Sequence, residues 1–418
     1  MVATVPKKLI HVELSADVPI LAPDRDYPVF YVVFWWHRIP LGHVEIMDSL
    51  LPMSATHLTA LAVRTISPRI SNHLQEHGLS VPEVSTTIAQ NDLVGDEMLS
   101  QWKEPFAQWR KQRFAPINTS LSVVICTRDR TEYLKRCLQS LQTLSHPPEE
   151  IVVVDNAPSS TATQQLVKQF SHIKYILEPK PGLDFARNAG VNNSASNILA
   201  YIDDDVTIHP DWSVHLRQAF QDPQVMAVTG LVIAAALETE AQCIFENYWS
   251  FNRGYRTILY DSQYFDRYKC IGVPAWRVGA GANMAFRRRI FDLVGYFDER
   301  LDVGAAGCSG DSELWYRILS EKWTCRYEPT AVAYHWHRQE ISGLRNQIFN
   351  YMRGHVAELL IRFEKHHHWG NIIRLILLPI HFCRIVTIGL FKDKLRLVTL
   401  TEEIRGCFSG LKYYFHNK

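Results

Sequence analysis

The feature that most constrains the fold is a run of alternating strand-like and helix-like segments that begins at Leu121. Short apolar stretches with the sequences SVVIC, IVVVD, IKYIL, ILAYI and VMAVTGLVI predict buried strands. Between the first two of these stretches, Leu134, Leu138 and Leu141 recur at helical spacing. Strands that alternate with helices form parallel βαβ units, so we expect an α/β fold with an open, mostly parallel sheet.

Polar side chains follow the ends of several predicted strands: Thr127, Arg128, Asp129, Asp155, Asp203, Asp204 and Asp205. Ligands of open α/β sheets bind beyond the carboxyl ends of the strands, so these residues mark the expected site. Three adjacent carboxylates repel one another and need a cation or hydrogen-bond donors. An Asp-x-Asp pair suits a hard divalent ion, which in turn neutralises a diphosphate. A solvated acidic turn before the next helix is the structural alternative that these residues leave open.

An ordered series of motifs gives this site a context. LSVVICTRDR, VVVDNAP, GLDFARNAG, YIDDDV, GAGANMAFRR with GYFDE, and GDSELWYR follow one another between residues 121 and 317. The series resembles the family 2 glycosyltransferases of the A-type fold, over residues 121–337. The resemblance implies an inverting transferase that takes a sugar from a nucleotide-diphosphate donor, with UDP as the family's commonest nucleotide, and that uses Mn²⁺ or Mg²⁺.

The resemblance also implies roles for residues at the donor side. The residues expected to bind the donor are Thr127, Arg128, Asp129, Asp155, Arg187, Asp203 and Asp204. In the family pattern, Asp155 hydrogen-bonds the donor base and Arg187 lines the diphosphate and nucleoside pocket. Asp203 faces the ribose or the metal, and Asp205 binds the metal itself. His335 and His337 stand where the family supplies a metal-binding histidine, and we favour His335 as the ligand. The alternative for either residue is an ordinary surface histidine.

The expected catalytic base is Asp311, in the GDSEL motif. The reaction needs one carboxylate that is free of the metal and takes the proton of the attacking acceptor hydroxyl. The family usually has Glu directly before this Asp, whereas this chain has Gly310, which weakens any role for a second acid. Arg317, six residues on, fits either a contact to the donor phosphates or an ordinary helix-surface arginine.

The acceptor side is expected around the GAGANMAF element. In the family this element borders the acceptor site, which implies roles for Gly281 and Asn283. Small residues let a sugar approach the backbone, and Trp276 offers an aromatic face for stacking. A core tryptophan is the structural alternative for Trp276.

Two further regions flank the predicted catalytic domain of residues 119–337. Residues 1–115 form an expected accessory domain with a β-hairpin, whose strands in YPVFYVVFWWHRIPLGHVEI meet at residues 38–41, followed by helical pieces at 56–64 and 70–77. Residues 338–418 form an expected basic helical tail with a net charge of +7, against −6 for the rest of the chain.

The most apolar part of the tail, residues 372–391, is long enough to cross a bilayer but contains Arg374 and Arg384. We therefore expect a helix that lies on an anionic membrane surface, with a packed helix and a true span as the alternatives. The first twenty residues lack the apolar core of a signal peptide. The expected location is cytoplasmic, peripheral on the inner face of the membrane.

Balanced overall charge removes a general electrostatic argument for nucleic acid as a partner. The expected partners are a nucleotide-sugar donor and a glycan or lipid-linked acceptor. One rival is a nucleotidyltransferase, which needs a glycine-rich first loop that CTRDRTEY does not provide. The other is a non-catalytic carbohydrate- or membrane-binding protein on a degenerate transferase fold, which Gly310 makes conceivable.

Overall fold

The computed structural model describes residues 5–76, 95–113 and 119–417. The strands of this part are β1 (Lys7–Glu13), β2 (Val29–Trp36), β3 (Ile39–Met47), β4 (Leu121–Thr127), β5 (Glu150–Asn156), β6 (Ile173–Glu178), β7 (Ile198–Asp203), β8 (Val206–Ile208), β9 (Val225–Ala234), β10 (Ile258–Tyr260), β11 (Asn283–Arg287) and β12 (Thr324–His335). The helices are α1 (Ala55–Glu76), α2 (Gly95–Arg113), α3 (Thr131–Leu141), α4 (Ala162–Val167), α5 (Leu183–Asn192), α6 (Trp212–Ala219), α7 (Glu240–Trp249), α8 (Ser262–Tyr268), α9 (Ile290–Val294), α10 (Gly310–Ser320), α11 (Ile341–His366), α12 (Gly370–Ile376), α13 (Leu378–Phe391) and α14 (Leu400–His416).

The large sheet has the order β10-β12-β9-β11-β7-β4-β5-β6, with β8 paired to β12. Strands β7, β4, β5 and β6 are parallel, as are β9 and β12. Strand β11 runs antiparallel between β7 and β9 and joins the two parallel groups. The predicted α/β fold with a mostly parallel sheet is therefore confirmed, and β11 is an antiparallel strand that the strand-and-helix alternation did not predict.

The N-terminal hairpin turns earlier than residues 38–41. His37 and Arg38 form the turn with φ angles of 45° and 69°, and Ile39 already begins β3. Two consecutive residues with positive φ are typical of the tight hairpin turns whose twist matches that of the flanking strands. The predicted hairpin exists, but its predicted turn was wrong, and β1, which pairs in parallel with β2, was not predicted.

Strand β2 is apolar throughout because both of its faces are buried. Tyr31, Val33 and Trp35 pack into the same apolar cluster as the large sheet. The alternate residues, among them Phe34 and Trp36, face the cluster that includes residues of α1 and α2. A strand buried on both faces does not show the alternation of polar and apolar residues that marks a half-exposed strand. The predicted helical pieces at 56–64 and 70–76 form the single helix α1, and both residue 77 and the predicted boundary at 115 lie outside the described residues.

The C-terminal region is helical, as predicted, but residues 372–391 do not form one helix. Helices α12 and α13 meet at a bend of 42°. Pro379 stands in the first turn of α13, where its missing N–H needs no partner, whereas in the middle of a continuous helix it would remove a hydrogen bond. Among the described helices none is by itself long and apolar enough to cross a bilayer, whereas α12 and α13 together satisfy that criterion by length and composition.

Candidate active site

The acidic strand end of β7 lies beside the end of β4. Parallel pairing sets Cys126 of β4 opposite Asp203, so Thr127 reaches the loop after β7. The Thr127 hydroxyl donates to Asp204 Oδ2 over 2.7 Å. The predicted neighbourhood of the first loop and the aspartate run is therefore present in the structure.

Arg130 offsets the repulsion between the neighbouring carboxylates. Its Nη1 lies 2.5 Å from Asp204 Oδ1 and its Nη2 lies 2.6 Å from Asp205 Oδ2. The guanidinium also stacks on Tyr133, 4.7 Å from the ring centroid. Arg130 was not predicted as a site residue, although a basic residue in the loop beside an acidic strand end is a signal that points to it.

His335 reaches the aspartates because β8 pairs with β12. The antiparallel register sets His335 opposite Val206, the residue that follows Asp205. As a result His335 Nε2 lies 3.3 Å from Asp205 Oδ1. Potential ligand atoms of Asp203, Asp205 and His335 all lie within 4.8 Å of one another. Two carboxylates and an imidazole form a donor set that suits a divalent cation.

His337 stands behind His335 instead of beside the aspartates. Nδ1 of His337 lies 2.9 Å from Nδ1 of His335, and its Nε2 lies 3.3 Å from Glu246 Oε2. This chain of contacts leaves Nε2 of His335 directed at Asp205. Glu246 and His337 thus orient the histidine that we favoured as a ligand, and Glu246 was not found from the sequence.

The charges of this cluster are strongly coupled. Burial raises the pKa of Asp205, but His335 and Arg130 outweigh burial and hold it well below the ordinary value. Burial lowers the pKa of His335, and the Asp205 carboxylate outweighs this so that the net shift is upward. Burial and repulsion from Asp205 raise the pKa of Asp203. The carboxylates of this cluster are therefore already in contact with two groups that can carry positive charge, the His335 imidazole and the Arg130 guanidinium. A site that attracts such groups also suits a metal cation.

Asp311 lies in the first turn of helix α10 and lines the same cavity as the aspartate cluster. Its Oδ1 accepts a hydrogen bond of 2.7 Å from the backbone N–H of Ser312. No ion pair of the described residues includes Asp311, although Arg187 attracts it from a distance. Burial, only partly offset by Arg187, raises the pKa of Asp311 to about 6.

Gly281 separates Asp311 from Arg187. A Cβ on Gly281 would lie 2.9 Å from Asp311 Oδ2 and 3.0 Å from Arg187 Nη2, so only glycine leaves both groups in place. Arg187 itself is buried between Asp184, at 2.9 Å, and Asp302, at 2.6 Å. Its guanidinium still borders the cavity, as predicted, but these two acids hold it. Asp184 and Asp302 were not found from the sequence.

The cavity has a volume of about 1410 Å³. The predicted site residues on its walls are Thr127, Arg128, Arg187, Asp203, Asp204, Asp205, Trp276, Gly281, Asp311 and His335. Arg374, Leu377, Leu378, His381 and Arg396 of the C-terminal region also line it. This contribution was not expected, because residues 338–418 were predicted to be a tail outside the catalytic domain.

Two predicted donor residues lie away from the cavity walls. The carboxylate of Asp129 accepts hydrogen bonds of 2.9 Å from both the N–H and the hydroxyl of Ser159. Asp155 is buried at the end of β5, where its Oδ2 accepts a hydrogen bond of 2.9 Å from Tyr175. The contact of Asp155 with a donor base stays a prediction.

The predicted acceptor contact of Asn283 is wrong. Its side chain is fully buried, donates to the carbonyls of Leu231 and Ala331, and accepts a hydrogen bond from Trp212 Nε1. The amide nitrogen joins β11 to β9 and β12, and the amide oxygen holds Trp212 of α6, so the buried side chain is not accessible to an acceptor.

Two alternatives left open by the sequence are decided by contacts. Arg317 donates to Glu313 and to the carbonyls of Val294 and Tyr296, so it holds helix α10 in place. It is buried and does not line the cavity, so both the phosphate contact and the helix-surface arginine were wrong. Trp276 borders the cavity, with Arg374 stacked 4.9 Å from its ring centroid. Trp276 is half-buried and is therefore not a core residue, whereas its contact with an acceptor stays a prediction.

Comparisons with known proteins agree with the motif series. The family model described as "Glycosyl transferase family 2" matches residues 122–294. Asp311 and His335 lie beyond the matched residues, so their assignment depends on the geometry above.

Similar proteins include the glycosyltransferase GlyA of Streptococcus pneumoniae, 26% identical over 49% of this chain and 29% of the relative. The pre-mycofactocin glycosyltransferase of Mycobacterium tuberculosis is 26% identical over 54% of this chain and 44% of the relative. The glucosyl-dolichyl phosphate glucuronosyltransferase of Haloferax volcanii is 24% identical over 43% of this chain and 56% of the relative. The chain thus spans less than two thirds of the length of each of these relatives.

A mannosyltransferase of Pyrobaculum calidifontis, solved with GDP-Man and Mn²⁺, superposes with a TM-score of 0.48 and 14% identity, over 82% of this chain and 99% of that one. By the family-model match, residues 122–294 form a glycosyl transferase family 2 domain, as the ordered motifs of the sequence predicted.

Proposed function

We propose that this protein is an inverting glycosyltransferase that moves a sugar from a nucleoside diphosphate, UDP in our expectation, to an acceptor hydroxyl. One observation carries the proposal. Asp311, a carboxylate outside every ion pair of the described residues, shares a cavity with the cluster of Asp203, Asp205 and His335. One group is thus available for the acceptor proton, and the other for the leaving diphosphate.

Asp203, Asp205 and His335 would hold the metal. Carboxylate oxygens suit Mg²⁺ and Mn²⁺ alike, whereas an imidazole ligand favours Mn²⁺. When bound, the ion supplies Lewis-acid stabilisation of the negative charge that develops on the departing diphosphate. Thr127, Arg128 and Asp204 line the same cavity and are assigned to the nucleotide.

Asp311 would act as the general base. As the acceptor oxygen forms its bond to the anomeric carbon and the bond from that carbon to the diphosphate oxygen breaks, the hydroxyl proton passes to the Asp311 carboxylate. A pKa of about 6 leaves this group ionised, yet basic, near neutral pH. One carboxylate is assigned as the base for the acceptor, and none is assigned as a nucleophile that attacks the sugar. This supports a single displacement at the anomeric carbon, which inverts its configuration.

The alternative of a non-catalytic binding protein depended on Gly310, which replaces the family's usual glutamate. The structure gives this glycine a different reason. A Cβ at position 310 would lie 2.0 Å from Asp184 Oδ2, so glycine is what this buried acid allows. The missing glutamate therefore has a packing explanation and is not a sign of a dead site.

Thermal-shift and turnover assays of the full chain test the proposal together. UDP with Mn²⁺ is expected to raise the melting temperature more than either alone, since a ligand at 100 times its dissociation constant stabilises by about 2.7 kcal/mol. Hydrolysis of a UDP-sugar panel with Mn²⁺ then reports turnover. Stabilisation without any hydrolysis or transfer would identify a binding protein, and absence of both would refute the proposal for UDP.

A further inference from the structure

Helices α12 and α13 present large apolar side chains to solvent. Ile376, Ile380, Leu390 and Phe391 are 68%, 66%, 62% and 82% exposed. Ile380 and Phe391 are eleven residues apart, which is close to three helical turns, so they share one face of α13. We call these four residues the apolar strip. Large apolar side chains exposed together on one segment mark a protein or membrane contact.

The charges around the apolar strip favour a negatively charged partner. Residues 370–398 contain five Lys or Arg residues and one acidic residue. Arg384, Lys392 and Lys394 are exposed, whereas the acid, Asp393, accepts a hydrogen bond from Tyr248. Apolar side chains flanked by cations are the combination that binds the interface of an anionic bilayer.

Two residues of the apolar strip are close in sequence to residues that line the cavity. Leu377 and Leu378, at the bend between α12 and α13, line the cavity, and Ile376 and Ile380 stand next to them in sequence. A bilayer in contact with the strip would therefore lie at the cavity entrance. An acceptor with a lipid chain would enter without leaving the membrane.

Three arginines surround Trp276 on the cavity wall, and we call them the Trp276 arginine cluster. Arg374 stacks on the Trp276 ring at 4.9 Å, Arg253 donates to the Trp276 carbonyl over 3.2 Å, and Arg277 follows Trp276 in the chain. All three line the cavity.

No carboxylate of the described residues lies within ion-pair distance of the cluster, although Asp311 attracts Arg253 from farther away. The described ion pairs include none of these three arginines, and Glu358 on the same cavity wall is paired with Arg362. The hydrogen bonds of Arg253 and Arg374 go to backbone carbonyls, which carry no full charge. Arg253 Nε is buried and has no hydrogen-bond partner in this part of the chain. Guanidinium groups in this state are suited to phosphate oxygens.

We infer that the acceptor is a phosphate-bearing lipid that stays anchored in an anionic bilayer. The apolar strip contacts the membrane, and the Trp276 arginine cluster holds the phosphate. Asp311 lines the same cavity for the sugar hydroxyl. The acceptor assignment depends on the proposed function, whereas contact with the bilayer does not.

Vesicle flotation of the full chain tests the membrane contact. Wild-type protein is expected to float with phosphatidylcholine vesicles that contain phosphatidylglycerol, and less with phosphatidylcholine alone. The double change Ile380→Glu with Leu390→Glu is expected to weaken flotation at least about tenfold, since it places two charges on the surface that would enter the bilayer. Leu293→Glu, at an exposed leucine of α9, is the matched control and should float as the wild type does.

Farnesyl phosphate tests the arginine cluster, with farnesol and inorganic phosphate as separate arms. Farnesyl phosphate is expected to stabilise the wild type, and Arg277→Gln to weaken its binding at least about fivefold through the lost charge-assisted contact. Arg405→Gln, at an exposed arginine of α14, is the control and should bind normally.

Several outcomes would overturn the inference. One is that the Ile380→Glu, Leu390→Glu variant floats as well as the wild type. Another is that the wild type does not float and is instead a dimer, which the same double change dissociates. They also include equal stabilisation by farnesol, or equal stabilisation by inorganic phosphate. Binding of farnesyl phosphate without any response to UDP and Mn²⁺ would support the lipid site and remove the proposed donor instead.

Discussion

Asp184 Oδ2 lies 2.0 Å from the point where a Cβ on Gly310 would stand. Asp184 is buried and ion-paired with Arg187, so it has no room to withdraw. Gly310 immediately precedes Asp311, and the contact therefore fixes how closely helix α10 approaches α5. The position where the family usually has a glutamate is taken, in this chain, by a carboxylate from another helix.

Gly310→Ala is expected to destabilise the protein by about 1–3 kcal/mol, because overpacking forces neighbouring groups out of place. Gly343→Ala is the control, since a Cβ there would come no closer than 3.7 Å to another atom. Alanine inside a helix is favoured over glycine by up to about 1 kcal/mol, so this control should be neutral or stabilising. Thermal melts of both variants decide the matter, and equal melting temperatures would contradict the packing argument.

Asp311→Asn is expected to lower turnover by about 10²–10⁴-fold, because the acceptor hydroxyl loses its general base. The residues proposed to bind the nucleotide do not include Asp311, so the thermal shift with UDP and Mn²⁺ should remain. Asp266→Asn, at an exposed aspartate of α8, is the control and should turn over normally. A loss below tenfold at Asp311 would exclude it as the base.

The pH dependence of kcat/KM is expected to report the Asp311 carboxylate. Its pKa of about 6 makes it a base only above that value. Activity should therefore fall about tenfold per pH unit on the acid side and level off above. A profile measured with saturating metal that is flat down to about pH 5 would contradict this assignment.

The same pKa shift predicts a stability effect of Asp311→Asn. Because folding raises the pKa, the folded state favours the protonated acid and loses stability as the pH rises from about 4 through 6. Asparagine removes this penalty, so the variant should gain up to about 3 kcal/mol at pH 8 and nothing near pH 4. Denaturant unfolding at the two pH values measures the gain, with Asp266→Asn as reference. A gain of equal size at both would show that ionisation is not the cause.

Replacing His337 is expected to weaken Mn²⁺ binding about 10–100-fold, which is the usual effect of losing a residue that orients a ligand. His335→Ala should remove more affinity, since it deletes the ligand. Calorimetric titration with Mn²⁺ compares both with His146→Ala, an exposed histidine away from the cluster. If His337→Ala binds Mn²⁺ as tightly as the wild type, the contact of 2.9 Å to His335 has no orienting role.

Arg130→Gln is expected to change metal and nucleotide affinity in opposite directions. Arg130 competes with a cation for Asp204 and Asp205, so its removal should tighten Mn²⁺ binding in the absence of nucleotide. With nucleotide present, the loss of a guanidinium should weaken UDP binding, because charge-assisted bonds to phosphate are strong. Titrations of each ligand, with Lys135→Gln as the control, separate the two effects. A parallel change in both affinities would argue for general damage to the loop.

Much of the sheet could be predicted because the pattern that encodes it is local. The strand at Leu121 and the helix around Leu138 each reveal themselves within about ten residues through the spacing of apolar side chains. The polar residues at strand ends then marked the edge where Asp203 and Asp205 lie. Strand β2 was predicted within the hairpin, but burial on both of its faces erased the alternation that would show which side chains face which core.

Amino-acid order by itself determined the α/β class, the acidic strand end and the resemblance that singled out Asp311. Tertiary structure decided which groups meet: the pairing of β8 with β12 brings His335 to Asp205, and Arg130 reaches across the same edge. It also showed that Asn283 joins strands, and that Leu377 of the C-terminal region borders the cavity. The spacing of apolar and polar side chains depends only on which faces of one helix or strand are buried, so it can be read within a segment. Contacts between residues far apart in the chain depend on how the whole core packs.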